Sequence, residues 1–377
     1  MTSDRGLLLG VLVACAACGG SSETAPTPIR FLHTFGPEET EVFNATMADR
    51  GIAVDASLVP FARGQQVIGE ILRAGTNCPD LIRIDATWMP GLAKLLAPVP
   101  PELAQLDWLP EATGLASTKD GLGALPMAVD GLVVIRDEST PAPASAAIVD
   151  LVGATRAARH AGRPHPLGLR VDGYWLVPWL RADGADLAVG QIDDEGAVRA
   201  VAAFARLFGD LAPPPPPAGA EAPDELRRWA AHEIAYWVTG PWQIGALRER
   251  ERLAVSPLAH APRGGQLLVV PACAKNPADG WRLARELTSV EVQKKLAEVF
   301  ATVPTRVSAL AAAPPLVHQI HDALATAETL PRAALTPLLF DDLNPALTAV
   351  ISGDATAEEA IAGVRRGWRR LESRQTP

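Results

Sequence analysis

Tyrosine occurs only twice in this 377-residue chain, cysteine and methionine four times each, and all aromatic residues together make up 5%. Positive charge is also in deficit. With 34 Lys and Arg against 43 Asp and Glu, the formal net charge is −9, and a nucleic-acid binder would instead present a basic face. The signatures of common catalysts are missing as well. There is no Gly-x-Ser-x-Gly elbow, no P-loop, and no dinucleotide glycine fingerprint after the first strand-like segment at 29–33, so neither a hydrolase nucleophile nor a phosphate cradle is legible. What remains is a globular balance of 48% apolar and 20% charged residues. The length suits two domains, each with its own core, and 31 Gly with 34 Pro predict many turns.

The N-terminus has an apolar run at 7–17 after Arg5. It is too short to cross a bilayer as a stable helix, and suits the central region of an export signal. It ends at Gly19-Gly20-Ser21-Ser22 and a proline-containing polar stretch that reads as a tether. Leu12-Val13-Ala14-Cys15 resembles the lipidation pattern of bacterial lipoproteins, and Cys18 resembles it too, leading directly into the tether. The lipid-bearing residue is Cys15 or Cys18, and both stay open. Cys78 and Cys273 remain, in a chain read as exported to an oxidising space. Spacing alone leaves them as a bridge or as two separate thiols.

Beyond the tether, strand and helix alternate. Segments 29–33, 52–58 and 81–85 read as strands, with helices at 37–49 and 65–74 between them. This β-α-β-α-β order predicts a mostly parallel sheet covered by helices, whose ligands bind beyond the carboxyl ends of the strands. Asp85 sits at such an end. Segment 125–135 is a long apolar strand broken only by Asp130 and Gly131, long enough to pass between lobes. Further helices are expected near 148–161, 174–181 and 195–211, and short strands at 234–238, 253–257 and 266–270. Five consecutive prolines at 213–217 read as a rigid surface connector. The chain from 277 onward is mainly helical. Its last helix starts at Thr356 with Glu359 completing a capping box, and Ile361, Val364, Trp368 and Leu371 form a core stripe. Arg365, Arg366, Arg369 and Arg370 complement that helix's dipole.

Taken in order, five features carry a resemblance: the lipoprotein-like start, GTNCPDLIRIDATW at 75–88, LPMAVDGLVVIR at 125–136, VTGPW at 238–242 and VPTRVS at 303–308. The chain resembles the extracellular solute-binding proteins of ABC importers, in their maltose-binding-protein-like, sugar-binding branch. The resemblance implies a two-lobed periplasmic-binding-protein fold of type II, in which a hinge joins two α/β domains and the chain crosses more than once. It divides the chain into a signal at 1–18, a tether at 19–28, a first lobe at 29–128 and 265–312, and a second lobe at 129–264 and 313–377. Cys78 and Cys273 then both fall in the first lobe, near the ends of neighbouring antiparallel strands, which implies a disulfide. No cofactor is implied. The implied partners are a small solute, most naturally a sugar, the permease subunits, and a membrane holding the lipid anchor at the periplasm or cell surface. The protein itself is expected to be a monomer.

A sugar offers apolar ring faces and a rim of hydroxyls, so its site needs flat aromatics and groups that bond adjacent hydroxyls. By the resemblance Trp242, in a Gly-Pro turn after a strand, is a stacking platform; the bland alternative is a core tryptophan. Of Tyr174 and Trp175, one faces the cleft and the other the core. Asp130 interrupts an apolar strand and must meet a partner or line a wet cleft, as a hydroxyl ligand or as a hinge element. Asp85 follows the same logic, with Trp88 as a platform beside it. Arg63 is a ligand or simply the start of a helix. Phe340, Asp341 and Asp342 lie where the family supplies a late contact. Two other classes remain: a periplasmic receptor that reports to a sensor, and a binder of a non-sugar solute or metal. His318, His321 and Asp322 have a spacing that can share an ion, although solvated histidines on a polar helix are much the stronger account of them.

Overall fold

The computed structural model describes residues 27–373, apart from 189, 193, 216–223 and 248. The signal, Cys15, Cys18, most of the tether and the end of the proline run lie outside the described residues.

In chain order the strands are β1 (Ile29–His33), β2 (Val54–Leu58), β3 (Leu81–Asp85), the hairpin β4 (Ser117–Thr118) and β5 (Gly121–Leu122), β6 (Leu125–Gly131), β7 (Val133–Asp137), β8 (Leu167–Gly168), β9 (Tyr236–Thr239), β10 (Leu253–Ser256), β11 (Pro262–Val269) and β12 (Glu328–Thr329). β1 pairs in parallel with β2 and β3, and β11 runs antiparallel to both β3 and β6 and parallel to β12, making a six-stranded first sheet. The second sheet has the order β10-β7-β9-β8. This is the two-lobed periplasmic-binding-protein architecture.

The central strands β1, β3, β6 and β11 of the first sheet are buried on both faces, which is why they are rich in apolar residues. Ile29, Phe31, Leu81, Leu125 and Leu268 face Phe43 and Trp281 in one core, while Leu32, Ile82, Ile84 and Leu267 face Ile68, Leu72 and Trp88 in the other. The helix Phe61–Ala74 begins four residues earlier than the expected 65, because Gly64 belongs inside it. A Cβ there would lie 2.4 Å from the Trp88 ring, so glycine serves packing rather than helix termination. The expected long strand at 125–135 is two strands. It breaks between Gly131 and Val133, where β6 leaves the first sheet and β7 enters the second. A Cβ on Gly131 would meet Pro262 O at 2.5 Å and Leu324 at 2.8 Å, so three crossing segments converge on that glycine. Residues 129–131 and 262–264, assigned above to the second lobe, pair within the first sheet, and so does β12. The helix expected over 195–211 ends at Ala205. The last helix, Ala357–Ser373, carries its capping box, with Thr356 N donating to Glu359 at 2.9 Å and Glu359 N to Thr356 Oγ1 at 3.2 Å.

Two of the motifs prove structural. In 303–308, the Thr305 hydroxyl donates to Pro126 O on β6 at 2.6 Å. Gln293, also buried, accepts from Thr305 N and Arg306 N and donates to Thr305 Oγ1. Arg306 pairs with Asp107, which also accepts from Ser308 N. In 75–88, buried Asp80 accepts from Arg30 N at 2.9 Å and ties the approach to β3 onto β1. Cys78, just before β3, and Cys273, just after β11, are joined as a disulfide across 195 residues of sequence.

Closing so long a loop restricts the unfolded chain, so the Cys78→Ser/Cys273→Ser variant is expected to lose about 2–4 kcal/mol of unfolding free energy. Denaturant titrations should show that a reductant lowers the wild type to the level of the variant and leaves the variant unchanged. Equal stability of the oxidised wild type and the variant would refute the assignment.

Candidate functional site

The site is built on three adjacent strands of the first sheet. β3 ends at Asp85, whose Oδ1 accepts from Thr87 N at 2.8 Å and Thr87 Oγ1 at 2.5 Å, capping the turn that follows. That bond fixes the carboxylate and leaves Oδ2 facing inward. β11 places Gln266 directly across from Asp85, and β6 places Asp130 opposite Gly264. The Gln266 Nε2 group lies 3.4 Å from Asp85 Oδ2 and 3.5 Å from Asp130 Oδ2, so one amide donor is shared between two carboxylates. Gly264 makes the arrangement feasible, because a Cβ there would stand 2.7 Å from Asp130 Oδ1 and 3.4 Å from the Tyr174 hydroxyl. Beside it, an open recess of about 310 Å³ is lined by Thr87, Pro90, Arg263, Gly264, Leu330 and Arg332.

The aromatic wall comes from the second sheet's side. Tyr174 and Trp175 start the helix Gly173–Ala182, which Asp172 caps by accepting from Tyr174 N at 2.8 Å. Trp175 is buried with its Nε1 donating to Val238 O at 2.8 Å. Tyr174 is only partly buried, and its hydroxyl reaches Pro262 O at 3.3 Å. Trp242, on the helix Pro241–Ile244 after β9, is 45% exposed. Its ring lies 6.4 Å from Tyr174 and 6.1 Å from Trp175. An aromatic of that size is left open at the expense of apolar burial unless something covers it.

The electrostatics are those of an acidic pocket. Burial, and then the neighbouring Asp85 charge, push the Asp130 carboxyl up to about 7. Asp85 is also raised, by burial, against the favourable bonds from Thr87 and the charge of Arg83. The Tyr174 hydroxyl is pushed up by burial and by both carboxylates. Arg83, the nearest buried cation, donates to Thr34 Oγ1 at 2.8 Å and lies over the Phe35 ring.

The remaining sequence candidates sit elsewhere. Trp88 is buried in the first lobe's core, covered by Gly64 and by the Phe61 ring at 5.3 Å; the exposed aromatic at that position is Phe61, at 52%. Arg63 is exposed on the first turn of its helix. Phe340 packs at Gly173, beside Tyr174, while Asp341 points to solvent and Asp342 lies against Gly367. His321 is paired with Glu111 at 2.8 Å and Asp322 at 3.4 Å. Among the described residues no group of three or more His, Cys, Asp or Glu is placed to hold a metal ion. Sequence reasoning missed Gln266 and Phe61. The signal for Gln266 was a polar residue heading the apolar run QLLVV, and register alone revealed what it faces.

The raised Asp130 carboxyl has a consequence for stability. Between about pH 4 and 7 the folded protein holds a proton that the unfolded chain releases, so stability falls as pH rises through that window. Asp130→Asn is expected to exceed the wild type by about 1–4 kcal/mol at pH 8, with the gap closing toward pH 4. Denaturant unfolding at both pH values checks this, and a gap that does not change with pH would contradict it.

Comparison with known proteins identifies the fold and the family. A search of curated protein sequences found no match. Among solved structures, the chain is similar to the GacH receptor of Streptomyces glaucescens GLA.O, studied unliganded and with acarbose, at 24% identity and a TM-score of 0.79 over 91% of this chain and 98% of that one. It is similar to maltose-bound MalE3 of T. maritima at 19% identity and a TM-score of 0.79, covering 91% and 99%. A third, a solute-binding protein of an ABC transporter from Thermotoga lettingae TMO bound to α-D-tagatose, matches at 21% identity and a TM-score of 0.73, covering 91% and 98%. These likenesses establish the fold. The family model for bacterial extracellular solute-binding proteins matches residues 43–324, and with three quarters of its length inside that match the chain belongs to this family of binding proteins rather than enzymes.

Proposed function

We propose that the protein captures a sugar, an oligosaccharide or related polyhydroxylated solute, in the cleft between its lobes and delivers it to the membrane permease of an ABC importer. The observation that carries this reading is the meeting of an exposed tryptophan with a carboxylate pair. Trp242 offers a flat apolar face, and Asp85, Asp130 and Gln266 offer acceptors and a donor a few ångströms apart, the combination that a ring with a hydroxyl rim requires. Tyr174 stands between the two, its ring near Trp242 and its hydroxyl near Asp130. Relatives of the same fold were solved with acarbose, maltose and tagatose, which supports the same solute class. A solute touching residues from both sheets stabilises the closed arrangement and so shifts a hinge equilibrium. Residues 7–17 and the cysteines at 15 and 18 support an exported, lipid-anchored protein held at a bacterial membrane. No helix among the described residues is long and apolar enough to cross a membrane.

Any solute that binds only the folded state raises the melting temperature by mass action. A thermal-shift panel of sugars, polyols, amino acids and divalent metals, run on the protein lacking residues 1–22, is expected to respond to one sugar class. Trp242→Ala should weaken that solute at least about ten-fold, the scale of a lost aromatic stack, without lowering the melting temperature of the empty protein, since the ring is half exposed. A response confined to metals or amino acids would overturn the sugar assignment. For the anchor, palmitate labelling in cells is expected to be lost on replacing Cys15 or Cys18 by Ser, with release from the membrane fraction. Labelling of neither residue would remove the anchor from the reading.

A further inference from the structure

The polar groups of the cleft floor do not balance for a neutral ligand. Asp85 and Asp130 both direct Oδ2 at the Gln266 amide, whose single Nε2 serves the two at 3.4 and 3.5 Å. Gln266 is only 8% exposed, and its Oε1 has no donor. Once Asp130 ionises, from a carboxyl that burial and Asp85 push up to about 7 and that a bound cation would lower, acceptors outnumber donors around a buried amide aimed between two carboxylates. The Tyr174 hydroxyl, the other donor at hand, is spent on Pro262 O.

Charge is equally one-sided. Asp85 on β3 and Asp130 on β6 act on each other across the amide, while Glu39 from the helix Pro37–Asp49 acts on Arg83 and Asp172 acts on Tyr174. The cations near them are engaged elsewhere: Arg263 and Arg332, which line the recess, donate to the carbonyls of Leu324, Ala325, Gly114 and Ser117. Arg83 is bonded to Thr34 and lies 4.0 Å from Glu39. Arg181 is bonded to Asp186 at 3.0 Å and to the carbonyls of Glu328 and Thr329. A sugar hydroxyl brings one hydrogen to such a floor and no charge. A primary ammonium brings three hydrogens and the missing positive charge. Tyr174 and Trp242, with ring planes at 60° and centroids 6.4 Å apart, add two aromatic faces of the kind that attract a cation.

We propose that the solute is a sugar bearing a protonated primary amine, with its nitrogen held between Asp85 and Asp130 and its ring against Trp242. This rests on the sugar-binding reading of the same cleft and narrows it to a cationic subclass.

The test is calorimetric titration of the purified protein at pH 6.5 with amine and hydroxyl counterparts: D-glucosamine and 6-amino-6-deoxyglucose against D-glucose, and the β-1,4 glucosamine dimer against cellobiose. The amino member is expected to bind at least ten-fold more tightly, to weaken in 0.5 M NaCl, and to fall to parity with its neutral counterpart in Asp130→Asn, a variant expected to fold at least as stably as the wild type. Neutral sugars binding as tightly as their amino counterparts would overturn the proposal and leave the sugar reading standing. So would silence from these sugars when a different neutral sugar of the thermal panel binds. Silence from every sugar in both experiments would overturn both.

Discussion

Two successive glycines in β11 set how closely β6 can lie against it, and the cleft is assembled on that approach. At Gly265 a Cβ would lie 2.4 Å from the Ala128 carbonyl, and at Gly264 one would lie 2.7 Å from the Asp130 carboxylate. Only a bare backbone lets Asp130 fold over β11 toward Asp85. The pairing register shifts between Gln266 and Leu267, the kind of irregularity that re-aims a side chain beside a site. A short stretch of one strand thus supplies the contact for Tyr174, the floor under Asp130 and the amide between the carboxylates.

Such a cluster costs stability. Two partly buried carboxylates share one weakly placed amide donor, with the nearest arginine engaged elsewhere, so each resists ionisation. Buried charge with incomplete partners destabilises a fold, and binding sites are where such strain is retained. The locks elsewhere in the first lobe offset it: the disulfide, the Gln293–Thr305 network with every amide group bonded, and the Asp80 tie between β1 and β3. The rigid parts of the molecule surround the part that is left unsatisfied.

Much of the architecture was legible because period and punctuation agree with packing. The strands at 29–33 and 81–85 and the helix at 37–49 lie where apolar patterning and Pro37 put them, and Thr356 with Glu359 marked the last helix. Gly64 misled, because a glycine chosen to admit the Trp88 ring is indistinguishable in sequence from a helix breaker. Asp85, Asp130, Tyr174 and Trp242 stood out as polar or aromatic residues at strand ends and turns, and they do converge. Gln266 was invisible because its meaning depends on strand register, a property of pairings with residues 136 and 181 positions away. Trp88 read as a platform because sequence gives its neighbours along the chain but not the Phe61 ring that covers it.

The polar trio and the aromatic wall stand on different bodies. Asp85, Asp130 and Gln266 sit on β3, β6 and β11 of one hydrogen-bonded sheet, so their spacing is fixed whatever angle the lobes adopt. Tyr174 and Trp242 belong to helices on the side of the other sheet, beyond the crossing at Gly131. For the cationic solute proposed above, arrival and retention would then be divided between two sets of residues: the fixed carboxylates would set the association rate and its dependence on ionic strength, and the rings how long a captured solute stays.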